Sequence, residues 1–276
     1  MATSGHSLAL VVVFIFATLS LPTLYVIFRH GFQRQAILGW GYLFIFCTLK
    51  MVGSGMQLGD SRSSSAAIVT SVGLSPLVLA AAGVLHEARF YYAGPEKRRL
   101  DSKKETIIII IFHMLIMFGI ALIAVGMSRL TRSKIQDSVN HAWTLARIGA
   151  TVLFLGWVAV TVVATLSGLK AYLHIKEQPQ RNDGTRLLIA VIIALPFVGI
   201  RVIAAFVYLI TGNESLSAVT GALGVRVGLY LIEEIIATLV LVGAGIVTRN
   251  IRRQFEDEVL SEGTALSFGT NLEMYR

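Results

Sequence analysis

Residues 187–210 read Leu-Leu-Ile-Ala-Val-Ile-Ile-Ala-Leu-Pro-Phe-Val-Gly-Ile-Arg-Val-Ile-Ala-Ala-Phe-Val-Tyr-Leu-Ile. A helix needs ~20 apolar residues to cross the hydrocarbon of a bilayer, and this stretch supplies them with one charge, Arg201, inside. Working outward, six further windows read the same way: 7–28, 36–58, 66–88, 106–127, 143–169 and 221–247. Only helices and closed barrels satisfy every backbone polar group in lipid, and runs this long exceed barrel strands. The pattern predicts an all-α integral membrane protein. It is a bundle of seven transmembrane helices over residues 1–247, with a tail over 248–276. No linker separates further domains, and no internal repeat is visible.

Composition agrees with a lipid environment. Of the 276 residues, 55% are hydrophobic and 14% charged, against ~25% charged in soluble domains. The net charge of +8 invites a nucleic-acid partner, but the cations sit in short connections between apolar runs and form no single polar face. The bilayer is the expected partner, and nucleic acid is not. The one cysteine, Cys47, can form no internal disulfide and says nothing about redox compartment. No basic residue precedes the first run, which therefore reads as a retained helix and not as a signal peptide.

Basic loops stay cytosolic. Segments 29–35, 89–105, 170–186 and the tail together carry 16 Lys and Arg, from Arg29 to Arg276. The opposite connections carry four: Arg62, Arg129, Arg132 and Lys134. This places the N-terminus outside or in a lumen and the C-terminus in the cytosol. Asn213-Glu214-Ser215 is a glycosylation triplet that falls on the non-cytosolic side. The tail starts basic at Arg252 and Arg253 and turns acidic at Glu256, Asp257, Glu258 and Glu262; it reads as a short cytosolic helix followed by a solvated end. With no sorting signal visible, an endomembrane such as the endoplasmic reticulum is the expected location.

Ionisable groups at membrane depth cost ~2.5–3.5 kcal/mol each on insertion scales, so they mark candidate functional positions. They are Lys50, His113, Arg147, Arg201, Arg226, Glu233 and Glu234, with His86 and Glu87 closing the third helix. Along the last helix Arg226, Tyr230 and Glu233 or Glu234 recur at i, i+4, i+7 and i+8, a single helical stripe. Adjacent glutamates point about 100° apart, so one can line a chamber while the other reaches a neighbouring helix. The blander reading is that these charges pair as structural glue. Four buried cations against two anions exceed what pairing explains, and the surplus suits an anionic ligand, a watery cavity, or side chains snorkelling outward as at Arg147.

Other positions carry milder readings. His113 reads as a hydrogen-bonded interhelical histidine, and His86 and Glu87 as interfacial groups or a cytosolic gate. Pro22, Pro76 and Pro196 free backbone carbonyls within the membrane. Phe32, Tyr91, Tyr92, Trp143 and Tyr208 fit an aromatic belt. There is no phosphate loop, nucleophile elbow, metal-ligand spacing or aspartate-rich magnesium motif, so no metal and no cofactor are expected.

Phe28-Arg29-His30-Gly31-Phe32, Gly73-Leu74-Ser75-Pro76-Leu77, Ala194-Leu195-Pro196-Phe197 ahead of Arg201, and a glutamate midway along the last helix occur together here. In this set the chain resembles a family of fungal seven-helix membrane proteins across nearly its whole length. Relatives with assigned chemistry are membrane-bound terpene cyclases of meroterpenoid pathways, such as those making ascofuranone-type compounds. The resemblance implies acid-initiated cyclisation of a prenylated, lipophilic substrate, with Glu233 or Glu234 as general acid. Arg201, Arg226, Lys50 and Tyr230 would then line the substrate site. Two adjacent carboxyls suit this chemistry if one is held protonated and the other ion-paired, and aromatic faces stabilise carbocations. From other classes, a seven-helix receptor, a small-molecule transporter or a non-catalytic scaffold also fit the topology.

Overall fold

In the computed structural model the described residues are 2–31, 34–59, 66, 69, 73–92, 94–132, 136–174, 182–218, 221–251 and 253. They form α1 (Ala2–His30), α2 (Arg34–Gly59), α3 (Leu74–Tyr92), α4 (Gly94–Arg132), α5 (Gln136–His174) and α6 (Asn182–Thr211). The last helix, α7 (Leu223–Val247), is compound. It opens with a helical turn at Leu223–Val225, widens into π-helical turns at Arg226–Leu231 and continues as regular α-helix from Ile232. A 3₁₀ turn, Glu214–Leu216, sits between α6 and α7. No strand occurs among the described residues.

Two glycines stop long helices where a side chain would resist. Gly31 (φ 86) and Gly212 (φ 68) adopt left-handed backbone. Their N–H groups donate back to the carbonyls of Ile27 and Tyr208 at 3.0 and 2.8 Å, which closes the last turn of α1 and of α6.

Six helices are long and apolar enough to cross a membrane: His6–His30, Ala36–Gly59, Glu105–Leu130, Val139–Leu173, Asp183–Thr211 and Leu223–Val247. The chain is an integral membrane protein. The window expected at 66–88 corresponds to α3, which starts at Leu74; residues 60–65, 67, 68 and 70–72 lie outside the described set. So do Phe32, Arg62, Lys134 and the acidic tail residues. Both α4 and α5 run well past the windows expected for them. The extension of α4 is rich in Glu, Lys and Arg, which are good helix formers, and apolar length marks the bilayer and not the end of the helix.

The helices pack in a chain of neighbours, α1 on α2, α2 on α3, α3 on α6, and α6 on both α5 and α7. α4 lies along α5, and α1 closes back on α7. α3 is the centre, with every residue from Pro76 to Ala88 buried. Lipid gives helices no hydrophobic reason to associate, so close approach at small residues carries the packing. A Cβ at Gly83 would lie 2.4 Å from the Gly39 nitrogen, and one at Gly149 2.4 Å from the Gly119 carbonyl oxygen. The outer face of α4 is the opposite case, with Ile107, Ile108, Ile111, Met114 and Phe118 all exposed as lipid contacts.

One end of the bundle is tied by a sealed polar cluster. His30, Trp40 and Glu87 are fully buried. Glu87 takes His30 Nδ1 on Oε1 at 2.8 Å and accepts from Trp40 Nε1 on Oε2 at 2.7 Å. His30 Nε2 lies 2.9 Å from the Gly245 carbonyl. A carbonyl only accepts, so Nε2 carries a proton, and one further proton is held between Nδ1 and Glu87. The cluster is neutral as a unit and joins α1, α2, α3 and α7. Glu87 is therefore a core group and not the interfacial one that its place in the sequence suggested.

Candidate functional site

The opposite end of the bundle holds the remaining buried charge. Lys50, Ser54 and Gln57 follow one another at i, i+4 and i+7 along α2 and share a face. They meet Arg201 of α6, Arg226 and Tyr230 of α7, and the apolar side chains of Leu8, Ala9 and Val12 from α1. Together with Ala218 and Leu231 these residues line a cavity of about 40 Å³.

Glu234 is the keystone. Its carboxylate is inaccessible, with Arg201 Nε donating to Oε1 at 2.9 Å and Lys50 Nζ reaching Oε2 at 2.5 Å. Arg201 is 2% exposed, and its guanidinium lies 4.2 Å from the centroid of the Tyr230 ring, a desolvated cation–π contact worth about 2 kcal/mol. Lys50 stands 5.9 Å from the Phe16 ring. The Thr238 hydroxyl donates to the Glu234 carbonyl at 2.7 Å, holding the helix beneath the carboxylate.

Arg226 is bonded differently. Its Nε donates to the Ala218 carbonyl at 3.2 Å and its Nη2 to Gln57 Oε1 at 3.4 Å, both neutral acceptors. It has no carboxylate partner among the described residues. Lys50 lies within electrostatic reach of both Arg201 and Arg226. Three cations thus gather around one carboxylate, and the chamber carries net positive charge.

Residues 212–218, 221 and 222 cross this end of the bundle. The Tyr230 hydroxyl donates to the Leu216 carbonyl, so Tyr230 and Arg226 both tie this connection to the chamber wall. Asn213 caps the 3₁₀ turn, its Oδ1 accepting from the Ser215 N–H at 3.1 Å and hydroxyl at 2.7 Å.

The stripe on α7 falls on Arg226, Tyr230 and Glu234, spaced by four. Four residues overshoot an α-turn of 3.6. The π-turns at Arg226–Leu231 turn less per residue and keep the three aligned, a use of π-bulges common at functional sites. Glu233, one position off the stripe, is partly exposed, and its buried Oε2 has no hydrogen-bond partner among the described residues. Glu234 is fully buried and ion-paired through both oxygens, so the two glutamates are in unlike environments.

The structure brings Lys50, Arg201, Arg226, Tyr230 and Glu234 together and leaves Arg147 out. Arg147 is exposed, donates to the Leu209 carbonyl at 3.3 Å and lies 6.0 Å from the Trp143 ring, a snorkelling cation beside an aromatic. His113 bonds the Ile109 carbonyl of its own helix through Nδ1 at 2.7 Å and packs on Tyr42. Ser54 and Gln57 were legible as polar steps on the Lys50 face and were not singled out. The carbonyls of Leu216 and Ala218 leave no signal in the side-chain sequence. No group of three His, Cys, Asp or Glu positioned for a metal ion occurs among the described residues.

Residues 2–251 match the family described as a domain of unknown function, DUF7702. The chain belongs to that family. No curated protein and no solved structure matches the chain. The family's description assigns no chemistry.

Proposed function

We propose that this protein is a membrane-bound cyclase: it draws a prenylated, lipophilic molecule from the bilayer into the chamber, and Glu233 protonates its chain to start ring closure. The observation that carries this reading is the split between adjacent carboxyls. Glu234 is held as a carboxylate by Lys50 and Arg201, which suits an anchor. Glu233 keeps a buried oxygen without a hydrogen-bond partner among the described residues and is in no ion pair there, which leaves its carboxyl uncommitted to a structural pair. Paired acids driven apart by their surroundings are a recurring basis for acid–base assignment. A cavity of about 40 Å³ holds a polar head and not a whole prenyl chain. The chain would lie along the apolar wall of Leu8, Ala9, Val12 and Leu231. Tyr230 presents a ring to the chamber, where it would stabilise cationic intermediates.

In the same reading α3 is a seventh crossing, with the N-terminus outside or lumenal and the C-terminus cytosolic in an endomembrane. The contact between His30 and Gly245 supports an odd number of crossings, because α1 and α7 then run to the same face. Arg29 Nη2 donates to Asn250 Oδ1 at 2.7 Å at that face.

A specific feature favours a second reading, a carrier or receptor for the same kind of molecule. The π-helical turns at Arg226–Leu231 lie beside the chamber, and irregular helical turns recur at functional sites. Purified protein in lipid nanodiscs, supplied with an epoxidised prenyl-phenol, separates the two. The cyclase reading expects an isomeric ring-closed product; saturable binding without product favours the carrier.

A further inference from the structure

The charge around the chamber points to the class of molecule it takes. We infer that its occupant is an amphiphile with an anionic head on a hydrocarbon chain, and that Arg226 is the residue that selects it. This rests on the chamber being a ligand site, as proposed above, and goes further by fixing the head group and where it sits.

Arg226 differs from the other two cations in its partners. Lys50 and Arg201 both spend their charge on Glu234, whereas Arg226 faces a backbone carbonyl and an amide. Those contacts, 3.2 and 3.4 Å long, are at the weak end for N–H···O bonds. A carboxylate or phenolate accepting from a guanidinium makes a shorter bond of roughly twice the strength. An entering anion therefore displaces Ala218 and Gln57 from Arg226.

Position supports the same occupant. Around Arg226 the lining continues with Leu231 and Val12, an apolar track along which the chain of such a molecule runs. Leu8, Ala9 and Val12 offer the chain no polar group, and Leu10, Val11 and Phe14 on the far side of α1 are exposed to lipid.

Oleate tests the head-group assignment without testing catalysis, because it lacks an epoxide and a prenyl chain. Thermal unfolding would be followed in neutral detergent with increasing oleate, with oleyl alcohol as the uncharged match. Oleate should raise the midpoint saturably and the alcohol should not. Arg226→Gln should weaken the half-saturating oleate concentration by about tenfold or more, and Arg226→Lys should restore part of it. Gln57→Glu provides an independent check that conserves shape. It places a carboxylate beside Arg226, so it should raise the midpoint without ligand and abolish the oleate response. Phosphatidylglycerol added to the micelles identifies the source: competition with oleate assigns the head to a bilayer lipid, and lack of competition to a free amphiphile. Equal shifts with oleate and the alcohol, or an undiminished oleate response in both Arg226→Gln and Gln57→Glu, would overturn the inference. If oleate binds as expected and no prenylated substrate is ever turned over, the cyclase reading fails and this one stands.

Discussion

Arg201 on α6 and Glu234 on α7 meet Nε to Oε1 at 2.9 Å, with neither side chain more than 2% exposed. Lys50 reaches the other oxygen of the same carboxylate from α2, so one acid joins three helices. Removing one partner from a buried ion pair typically costs about 3–5 kcal/mol, because the remaining charge is left in a poor solvent.

The arrangement is asymmetric, which orders the expected losses. Glu234→Gln strips two cations of their counterion, while Lys50→Met leaves Arg201 and Glu234 still paired. Thermal unfolding of the purified variants in detergent should show Glu234→Gln as the larger loss, by about 2 kcal/mol or more. Equal losses would mean that Lys50 and Arg201 do not share the carboxylate.

The sealed cluster at the other end makes a similar prediction through hydrogen bonds. Glu87→Leu orphans both the His30 ring and the Trp40 N–H, and His30→Leu orphans Glu87 and the Gly245 carbonyl. Each single change should cost about 3 kcal/mol or more. The double variant His30→Leu, Glu87→Leu should cost clearly less than the two singles summed, since the two groups need one another. Additive losses in the same unfolding assay would deny the coupling.

The extent of the fold was legible because lipid demands uninterrupted apolar length, and residues 187–210 meet that demand in any context. The buried ionisable residues were legible for the same reason: each breaks an apolar run. Partnerships were not. His30 and Glu87 are 57 positions apart, and nothing local reveals that they meet. The choice between the glutamates was hidden because it depends on the π-turns at Arg226–Leu231, which shift helical phase by an amount that no side-chain pattern records. Arg147 was recognised as a cation at the membrane edge, and the structure shows where its charge goes.

Crossings built on glycine give a prediction free of charge effects. At Gly83 a Cβ would meet the Gly39 nitrogen at 2.4 Å, and at Gly55 it would meet nothing within 4 Å. Gly83→Ala should destabilise by about 1–3 kcal/mol through forced separation of α2 and α3. Gly55→Ala should be neutral or slightly stabilising, as alanine favours helix over glycine. The comparison is read as surviving monomer after heating; equal survival would show that the α2–α3 contact is looser than described.

Topology can be read directly because Cys47 is the one cysteine in the chain and is buried. On a Cys47→Ala background, single cysteines at Ser215 and Ser261 should label from opposite sides of sealed microsomes. The inferred orientation expects Ser261 to react with an impermeant maleimide added from the cytosolic side and Ser215 to react only after permeabilisation. Labelling of both from one side would mean that α7 does not cross the membrane.

The central claim is that Glu233 donates the proton while Glu234 holds the site together. Its most direct measurement is the rate of ring closure of an epoxidised prenyl-phenol by nanodisc-reconstituted wild type and Glu233→Gln, each matched for folded protein by its unfolding midpoint. The account predicts cyclised product from wild type and a rate at least ~100-fold lower in Glu233→Gln, with the midpoint little changed. Product formed at the wild-type rate by Glu233→Gln, or none formed by folded wild-type protein on such substrates, would contradict it.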